Sequence, residues 1–466
     1  MDHVGYCMTL NNVLINHQTN NNILNKRVVL FIIYMKKATT ILCLILMQVI
    51  VSCKVQKSDQ SEFITVKGTQ FYKGGQPYNY IGTNYWYGAL LAAKTGGDRE
   101  RLATELDQLK ANGIDNLRIL VGAEAGTQDF TVMPALQPKQ GEYDKNQLDG
   151  LDYLLSEMRK RNMYAVLYLT NNWEWSGGMA QYLEWNGYGT LPNPNIKPNT
   201  WPQFMDYVKQ FHKCKPCQDA LNKHINYIIG RTNAYTNIKY TNDTTIMAWQ
   251  VGNEPRVFTA DNEEAFTTWL NSVVDVIKAA DKNHLVCTGS EGKAGSADDI
   301  AIFERTHNNP KIDYLTMHIW PKNWSWYNHA KAEETLPGAI SKTLAYIDEH
   351  IAVAQRLGKP IVLEEFGLPR EDESLDRTSS TADRDAFYKA IFERLQASVR
   401  AKQAFAALNF WGYGGTGVNN PAAGKWKKGD AFTADPPQEP QGLNTVFSTD
   451  VSTLKLIKDF NNKITK

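Results

Sequence analysis

The sequence predicts a (β/α)8 barrel with long βα-loop insertions and a short N-terminal hairpin, and three observations carry that prediction. Eight short apolar runs alternate with stretches of helical period from Tyr80 onward, the pattern of a parallel sheet covered by helices. The runs are apolar on both faces instead of alternating, so they read as strands buried on both sides. Two of them deliver a carboxylate to their carboxyl end: Ile246–Arg256, which breaks at Gly252-Asn253-Glu254-Pro255, and Pro360–Gly367, which carries Glu364-Glu365. In α/β barrels that end is where side chains doing chemistry are mounted.

The chain opens with segments unlike the rest. Residues 1–34 are rich in asparagine, lack a helical period and read as a mis-called upstream extension. Met35-Lys36-Lys37 followed by the apolar run Ile41–Val51 reads as a secretory signal starting at Met35, too short for a transmembrane helix. The run ends Ile50-Val51-Ser52-Cys53, which resembles a bacterial lipobox. Residues 35–53 are therefore expected to be a lipoprotein signal peptide, with Cys53 the lipidated first residue of the mature chain. An ordinary signal peptide or a signal anchor is the alternative. Lys54 is not the aspartate that usually retains such proteins in an inner membrane, so the expected address is the outer membrane, on the cell surface or the periplasmic face, or else secretion. Residues 54–62 form a polar linker, and 63–466 form the barrel domain.

Within that domain, Phe63–Pro77 suggests a hairpin turning at Lys67-Gly68, placed to close the bottom of the barrel. Strand runs follow at Tyr80–Asn84, Asn116–Leu120, Tyr164–Leu169, at the start of Ile246–Arg256, and at Leu285–Thr288, Asp313–Met317, Pro360–Gly367 and Phe405–Trp411. Between them, apolar residues recur at helical spacing, as in Leu102, Leu106 and Leu109, or Leu148, Leu151 and Leu155. Further helices are expected near Gln218–Arg231 and over Asn262–Asp281, Leu336–Leu357, Asp383–Ser398 and Thr453–Asn462. The insertion Glu174–Pro202 is long enough to be a functional loop. A second loop, rich in glycine, proline and aspartate, covers Tyr413–Gln441.

Lys and Arg total 50 against 49 Asp and Glu, a net charge of +1 that argues against a nucleic-acid partner. Aromatic residues make up 11%, with 12 Trp and 22 Tyr, a composition that suits stacking on sugar rings as well as core packing. Of the 6 cysteines, Cys7 and Cys43 precede the mature chain, Cys53 is the expected lipid site and Cys287 lies inside a strand. Cys214-Lys215-Pro216-Cys217 remains, with His212 and His224 nearby. A local disulfide, free thiols and a zinc site are all open there, and the exported context favours the disulfide. Pro216 argues against a uniform helix through this stretch.

Glu254 and Glu365 are the candidate pair for general acid/base and nucleophilic work, because glycoside hydrolysis needs two carboxylates flanking one bond. A strand-end glutamate taken singly is often a solvated cap; two, each followed by a backbone breaker, are a stronger signal. Arg118 sits in an otherwise apolar strand and needs a buried carboxylate, either the nucleophile or a neighbour such as Asp115. Asn253, His318 and Trp320 are placed to bind a substrate or orient the carboxylates. Trp411 ends the last strand, as the floor of a sugar site or as core.

Trp249–Arg256 resembles the acid/base strand of glycoside hydrolase family 5, and Leu363–Gly367 resembles its nucleophile strand. Asn116–Ile119, Thr170–Trp173, His318–Pro321 and Phe410-Trp411 fall in the matching order, and Thr83–Trp86 with Ile246–Trp249 narrows the resemblance to the endo-β-1,4-mannanase branch. The similarity runs from about Phe63 to the C-terminus. It implies Glu254 as general acid/base and Glu365 as nucleophile, with Arg118 and His318 supporting the nucleophile side. It further implies Asn253 on a sugar 2-hydroxyl, Trp411 as a platform under the reacting sugar and Arg256 on a leaving-group mannose. Trp86, Asn171 and Trp173 complete the substrate-binding set. Glu364 is expected to point to the opposite side of its strand, and Glu254 to have a pKa raised by its negative neighbour. The sequence departs from the family at Trp320, where a tyrosine is usual; an indole N–H donates but has no hydroxyl.

The implied activity is that of a retaining endo-β-1,4-mannanase cutting internal bonds of mannan, glucomannan or galactomannan, monomeric, with no metal or organic cofactor. An exo-β-mannosidase or a family 5 cellulase are the alternatives of the same class. A non-catalytic surface glycan-binding lipoprotein is the alternative of another class, and the Trp320 departure is its one supporting feature.

Overall fold

In the computed structural model the chain divides into residues 1–58 and 59–466. The structure describes Met35 and residues 63–464 apart from 127–130, 421 and 423. The expected upstream extension, signal peptide, lipobox cysteine Cys53 and linker lie outside the described residues, save Met35.

A small antiparallel sheet comes first, β1 (Thr65–Lys67), β2 (Gln70–Lys73) and β3 (Gln76–Pro77). The barrel follows: β4 (Tyr80–Asn84), β5 (Asn116–Leu120), β6 (Tyr164–Tyr168), β7 (Ile246–Gln250), β8 (Leu285–Cys287), β9 (Leu315–Ile319), β10 (Ile361–Phe366) and β11 (Phe405–Phe410). Their order is β8-β7-β6-β5-β4-β11-β10-β9, every pair parallel. All eight are buried along their length, as their apolar runs require. Between β8 and β9 single hydrogen bonds replace a ladder. Asp313 N–H donates to the Val286 carbonyl at 2.8 Å and the Asp313 carboxylate accepts from Val286 N–H at 2.6 Å. Higher up, the Thr316 hydroxyl donates to the Ser290 carbonyl at 2.8 Å and His318 N–H to the Glu291 carbonyl at 3.1 Å.

The barrel interior has two storeys. The lower one is apolar: Ile64 and Phe71 of the N-terminal segment plug it against Tyr80, Tyr164, Val166, Cys287, Tyr314 and Val362. The upper one is polar and centres on Arg118. Outside, the helices bury their leucine stripes against the strands; Leu102, Leu106 and Leu109 are fully buried on Arg99–Ala111, each worth about 1.5–3 kcal/mol over an exposed position. Asp98 and Asp144 accept backbone N–H bonds at the starts of their helices, supplying partners that the first turn lacks.

After β6 the chain makes its longest excursion, through the helices Gly178–Trp185, Trp201–Lys209 and Lys215–Ile229. Cys214 and Cys217 are joined by a disulfide. His212 Nδ1 meets Asn262 and His224 Nε2 meets the Val121 carbonyl instead of converging on the cysteines. No uniform helix runs through this stretch, as Pro216 led one to expect: the chain leaves helical geometry at Cys214 and a new helix starts at Lys215, with Pro216 in its first turn, where the missing N–H has no partner to lose. The short helices Gly88–Leu91 and Ile300–Thr306 were not expected; each is too short for its period to register.

Buried titratable groups set the pH range of this fold. Burial pushes His212 and His307 down to about 3, and His224 and His350 down to about 4, from 6.5. Burial also pushes Glu124, Glu174 and Glu291 up to about 7 from 4.5. Between pH 4.5 and 6.5 the unfolded chain binds extra protons on those histidines and the native chain on those carboxylates, so the two trends oppose. Below that window the histidines, with carboxyls held low by their partners such as Asp281, favour unfolding as pH falls; above it the raised carboxylates must ionise and stability falls as pH rises. Denaturation midpoints across this range should show a plateau with losses on both sides. A steady decline from pH 6.5 to 4.5 would mean that the buried carboxylates are not protonated.

Candidate active site

The carboxyl ends of the barrel strands open into a cleft of about 940 Å³ lined by Glu254, Glu365, Asn253, Arg256, Trp173, Trp320 and Trp411 among others. Glu254 reaches it because the chain turns sharply after β7. Its φ is 52°, in the left-handed region that costs a non-glycine residue strain. The turn is held on both sides: Asn253 N–H donates to the Thr170 carbonyl at 2.8 Å and Glu254 N–H to the Gly289 carbonyl at 2.9 Å. Gly289 has φ +77° and a Cβ there would lie 1.9 Å from the Gly252 carbonyl oxygen, so only glycine lets the two loops come this close.

Glu365 enters from the end of β10. The β10–β9 register shifts between Leu363 and Glu365, and the shift overturns the expectation for Glu364. Both glutamates face the barrel axis. Glu364 lies one layer below, accepting from Gln250 Nε2 at 2.6 Å and standing 3.6 Å from Arg118 Nε. An irregularity of one residue suspends the two-residue alternation on which the sequence reading rested.

Arg118 ties the floor of the cleft together. Its Nη1 donates to Glu365 Oε1 at 2.5 Å and to Asn84 Oδ1 at 3.1 Å, Nη2 to Asn253 Oδ1 at 2.8 Å and Nε to Gln250 Oε1 at 2.8 Å. Its guanidinium lies 4.6 Å from the Tyr168 ring centroid. Asp115, the other candidate partner, instead accepts from the Tyr78 hydroxyl.

His318 stands between the two carboxylates, its Nδ1 2.7 Å from Glu254 Oε1 and 3.4 Å from Glu365 Oε2. It thus serves the Glu254 side at least as much as the expected Glu365 side. Trp173 Nε1 donates to Glu254 Oε2 at 2.5 Å, and Trp320 Nε1 to Glu365 Oε2 at 3.3 Å. The indole at position 320 therefore makes the contact for which a hydroxyl is not needed. Trp411 meets Trp320 edge-on, centroids 5.9 Å apart. One donor atom each from Glu254, His318 and Glu365 lie within 4.8 Å of one another, a spacing that could also hold a metal ion. Here N–H donors from Arg118, Trp173 and Trp320 already point at those oxygens, so the set is wired to share protons.

Charges follow from this wiring. Burial works against ionised Glu254, but the His318 hydrogen bond and charge, with Arg256 and Trp173, outweigh it and hold Glu254 below the ordinary glutamate value. This reverses the expected rise. At Glu365 burial prevails over His318 and Arg118, and with Glu254 it holds the carboxyl above its ordinary value. Burial would lower His318, but Glu365, Glu254 and Glu364 lift it to about 10. These trends favour a charged imidazole in hydrogen bond with Glu254.

Other expected residues divide into those on the cleft and those behind it. Arg256 lines the cleft, its Nη2 donating to Glu291 Oε1 at 2.6 Å, its Nε in ion-pair contact with Glu291 Oε2 at 2.5 Å, and its guanidinium 4.9 Å from the Trp173 ring. Asn171 stands one step back, accepting from Asn253 Nδ2 and Trp173 N–H. Trp86 is a correction: it is buried against Trp175 and Phe432, its Nε1 donates to the Ala434 carbonyl, and it does not line the cleft. Within the run Tyr85-Trp86-Tyr87 nothing in the sequence separates a platform from core. Sequence reasoning missed Glu291, Trp175, Trp201, Trp324, Trp326 and Glu439, all on the cleft wall. Only Trp324-Ser325-Trp326, soon after His318, left a signal; Trp201 opens a short helix and the others lie on irregular segments without period.

Comparison with known proteins agrees with this geometry. Residues 61–466 match the profile of the family described as GH family 5 beta-mannosidase-like. The chain is 29% identical over 373 residues to mannan endo-1,4-beta-mannosidase 7 of Arabidopsis thaliana, covering 77% of this chain and 79% of that one. Its fold superposes on the glycoside hydrolase family 5 mannosidase of Rhizomucor miehei with a TM-score of 0.80 at 32% identity, covering 87% of this chain and 98% of that one. That enzyme is also known in complex with mannosyl-fructose. The endo-β-1,4-mannanase of Thermotoga petrophila shares the fold at 21% identity, TM-score 0.62, covering 83% of this chain and 77% of that one. A strand-end glutamate pair on a barrel, wired through Arg118 and His318 and matched along the whole described domain, places this chain in glycoside hydrolase family 5, among its β-mannosidase-like members.

Proposed function

We propose that the protein is a retaining endo-β-1,4-mannanase, and the observation that carries the reading is the separation of its carboxylates. An oxygen of Glu254 lies within 4.8 Å of one of Glu365. Retaining enzymes hold the pair about 5–5.5 Å apart, and inverting ones need about 6.5–9.5 Å to seat a water between them. Curated relatives named mannan endo-1,4-beta-mannosidase, such as that of rice at 28% identity over 366 residues, support β-1,4-mannan as substrate.

Glu365 attacks the anomeric carbon through Oε2, the oxygen not held at short range by Arg118. As the C1–O bond breaks, Glu254 gives a proton to the leaving oxygen. That proton is one hydrogen bond away, on His318 Nδ1, and a sugar covering the site moves the balance toward protonated Glu254 by removing water from its charged form. In the second step Glu254 takes a proton from water, the water oxygen bonds to C1, and the C1–Glu365 bond breaks, restoring the starting configuration. Trp411 and Trp320 present ring surface and edge to the reacting sugar. Trp320 also supplies Glu365 with the N–H that a nucleophile needs, which removes the one argument for a non-catalytic glycan binder.

A second reading has its own support: the Rhizomucor miehei structure at TM-score 0.80 is named a mannosidase, which favours release of single mannose units. Products from linear mannan and mannohexaose decide between them. The endo reading expects an early drop in galactomannan viscosity and oligosaccharide products. Mannose alone from the first time point would establish the exo reading, and retained mannohexaose with no shorter product would exclude both. An exported, lipid-anchored enzyme remains part of the proposal, supported by Met35-Lys36-Lys37 and Ile50–Cys53.

A further inference from the structure

Beneath the two glutamates of the cleft lies a third carboxylate to which the proposed chemistry gives no task. Glu364 faces the barrel axis because β10 skips a ladder position: Leu363 pairs with Met317 and Glu365 with His318, and Glu364 falls between. The irregularity is held in place. The Glu364 carbonyl accepts from Asn84 Nδ2 at 2.7 Å, and its Oε2 accepts from Gln250 Nε2 at 2.6 Å. The Gln250 amide is itself fixed, since its oxygen accepts from Arg118 Nε at 2.8 Å. Glu364 is fully buried, and its Oε1 has no hydrogen-bond partner among the described residues. An interior carboxylate carries a desolvation penalty that nearby cations must offset.

The nearest reason for keeping it lies above, at His318. Nδ1 of the imidazole faces Glu254 Oε1 at 2.7 Å and Glu365 Oε2 at 3.4 Å, so it carries a hydrogen. Nε2 stands 3.9 Å from Glu364 Oε2 and has no hydrogen-bond partner among the described residues. A lone pair on Nε2 would be repelled by that carboxylate in a dry interior, whereas an N–H is attracted to it. Arg118 and His318 are the cations in contact with Glu365 and Glu364. The other titratable groups facing Glu364 stay neutral: burial, with Glu364 adding to it, pushes Tyr80, Tyr314 and Cys287 up. Burial likewise pushes up Tyr168, which lies against Arg118. Arg256 acts on Glu254 from the cleft wall and is itself paired with Glu291. Loss of the His318 proton would therefore leave three carboxylates around Arg118.

Resting on the retaining mechanism proposed above, we infer that Glu364 is a positioning residue: it holds a hydrogen on His318 Nε2, and so frees the one on Nδ1 to pass to Glu254 as the leaving group departs. The transfer balances. Imidazolium gives its Nδ1 proton to Glu254 and becomes neutral imidazole with its hydrogen on Nε2, beside Glu364. Glu254 passes the proton to the leaving oxygen, later takes one from water, and returns it to Nδ1. Without Glu364 the imidazole keeps a single hydrogen on Nδ1, and giving it up would create an imidazolate. The donor is then lost although His318 and Glu254 are both in place.

Titration of His318 by nitrogen NMR in histidine-labelled protein, assigned against His318→Asn, reads this charge and needs no substrate. Glu364→Gln keeps the shape and removes the charge. The His318 midpoint should fall by about 1–3 pH units, the usual effect of an opposite charge at this range. The basic limb of kcat/KM on linear mannan, which reports the proton required on the free enzyme, should fall with it. Glu364→Asp retains the charge and should hold both positions nearer to the parent than Glu364→Gln does. A purely structural Glu364 would lower kcat and leave both positions where they were. An unmoved midpoint in Glu364→Gln overturns the inference, and so does a lowered midpoint with an unmoved basic limb. Should Glu364→Gln fail to fold, Glu364→Ala carries the same two expectations and the same two refutations. If the parent turns over no mannan, the mannanase reading falls, and the midpoint still decides whether Glu364 holds the charge on His318.

Discussion

Glu365→Ala should abolish hydrolysis of every β-mannoside, polymeric or aryl, while Glu254→Ala should separate substrates by their leaving groups. With the nucleophile gone, neither neighbouring carboxylate replaces it: Glu254 is engaged on the leaving-group side by His318 and Trp173, and Glu364 sits a layer down on Gln250. Small external anions can then restore only a displacement with inverted product. With Glu254 gone, polymer activity should fall by about 10²–10⁴-fold, the usual worth of positioned acid–base catalysis. An aryl leaving group of low pKa needs no proton, so its first step should survive and the glycosyl-enzyme accumulate. Azide should release it as the β-mannosyl azide, configuration retained. Anomeric analysis by NMR with burst kinetics checks both halves. Normal turnover by Glu365→Gln, or an inverted azide product from Glu254→Ala, would sink the assignment of roles.

Arg118→Met should cost both fold and rate. The side chain is fully buried, makes four hydrogen bonds and, with His318, faces Glu365 and Glu364 together. Removing one partner of a buried ion pair costs about 3–5 kcal/mol, because the remaining charge keeps its desolvation penalty. The surviving carboxylates would respond by taking up protons. Glu365 already stands above its ordinary value through burial, and loss of Arg118 raises it further, so the acidic limb of kcat/KM should move to higher pH. Lysine should not rescue, since one ammonium cannot span Gln250, Asn84, Glu365 and Asn253 with a planar fork. Urea denaturation and pH–rate profiles measure the two effects. A loss under about 1 kcal/mol with an unmoved acidic limb would show that Arg118 is a bystander.

What the sequence disclosed, and what it hid, follows the range of the forces involved. The barrel was legible because a strand buried on both faces must be apolar on both, and all eight expected runs became β4–β11. Glu254, Glu365, Arg118 and His318 were legible because each is a polar group where an apolar run leads one to expect none. Glu364 was misjudged because one register shift in β10 turned it inward. The Glu254 pKa was misjudged because its direction depends on His318 at 2.7 Å, a distance set by two strands far apart in the chain. Glu291 and Glu439 were missed for a third reason: they belong to loops whose course is decided by contacts such as that of the Gln441 amide with the Glu439 carbonyl, 3.1 Å, which no local pattern announces.

The seam between β8 and β9 has an evolutionary consequence. Backbone ladders tolerate mutation, since every residue but proline carries the same N–H and C=O. Here part of the barrel is stitched by side chains, Asp313 to Val286 at one end and Thr316 to Ser290 further along, so closure at this one place is inherited through residue identity. The stitched strand is the one that carries His318 next to its end. Drift at Asp313 or Thr316, far from any sugar, is therefore a route by which lineages of this enzyme can retune the proton shared by their two glutamates without touching either.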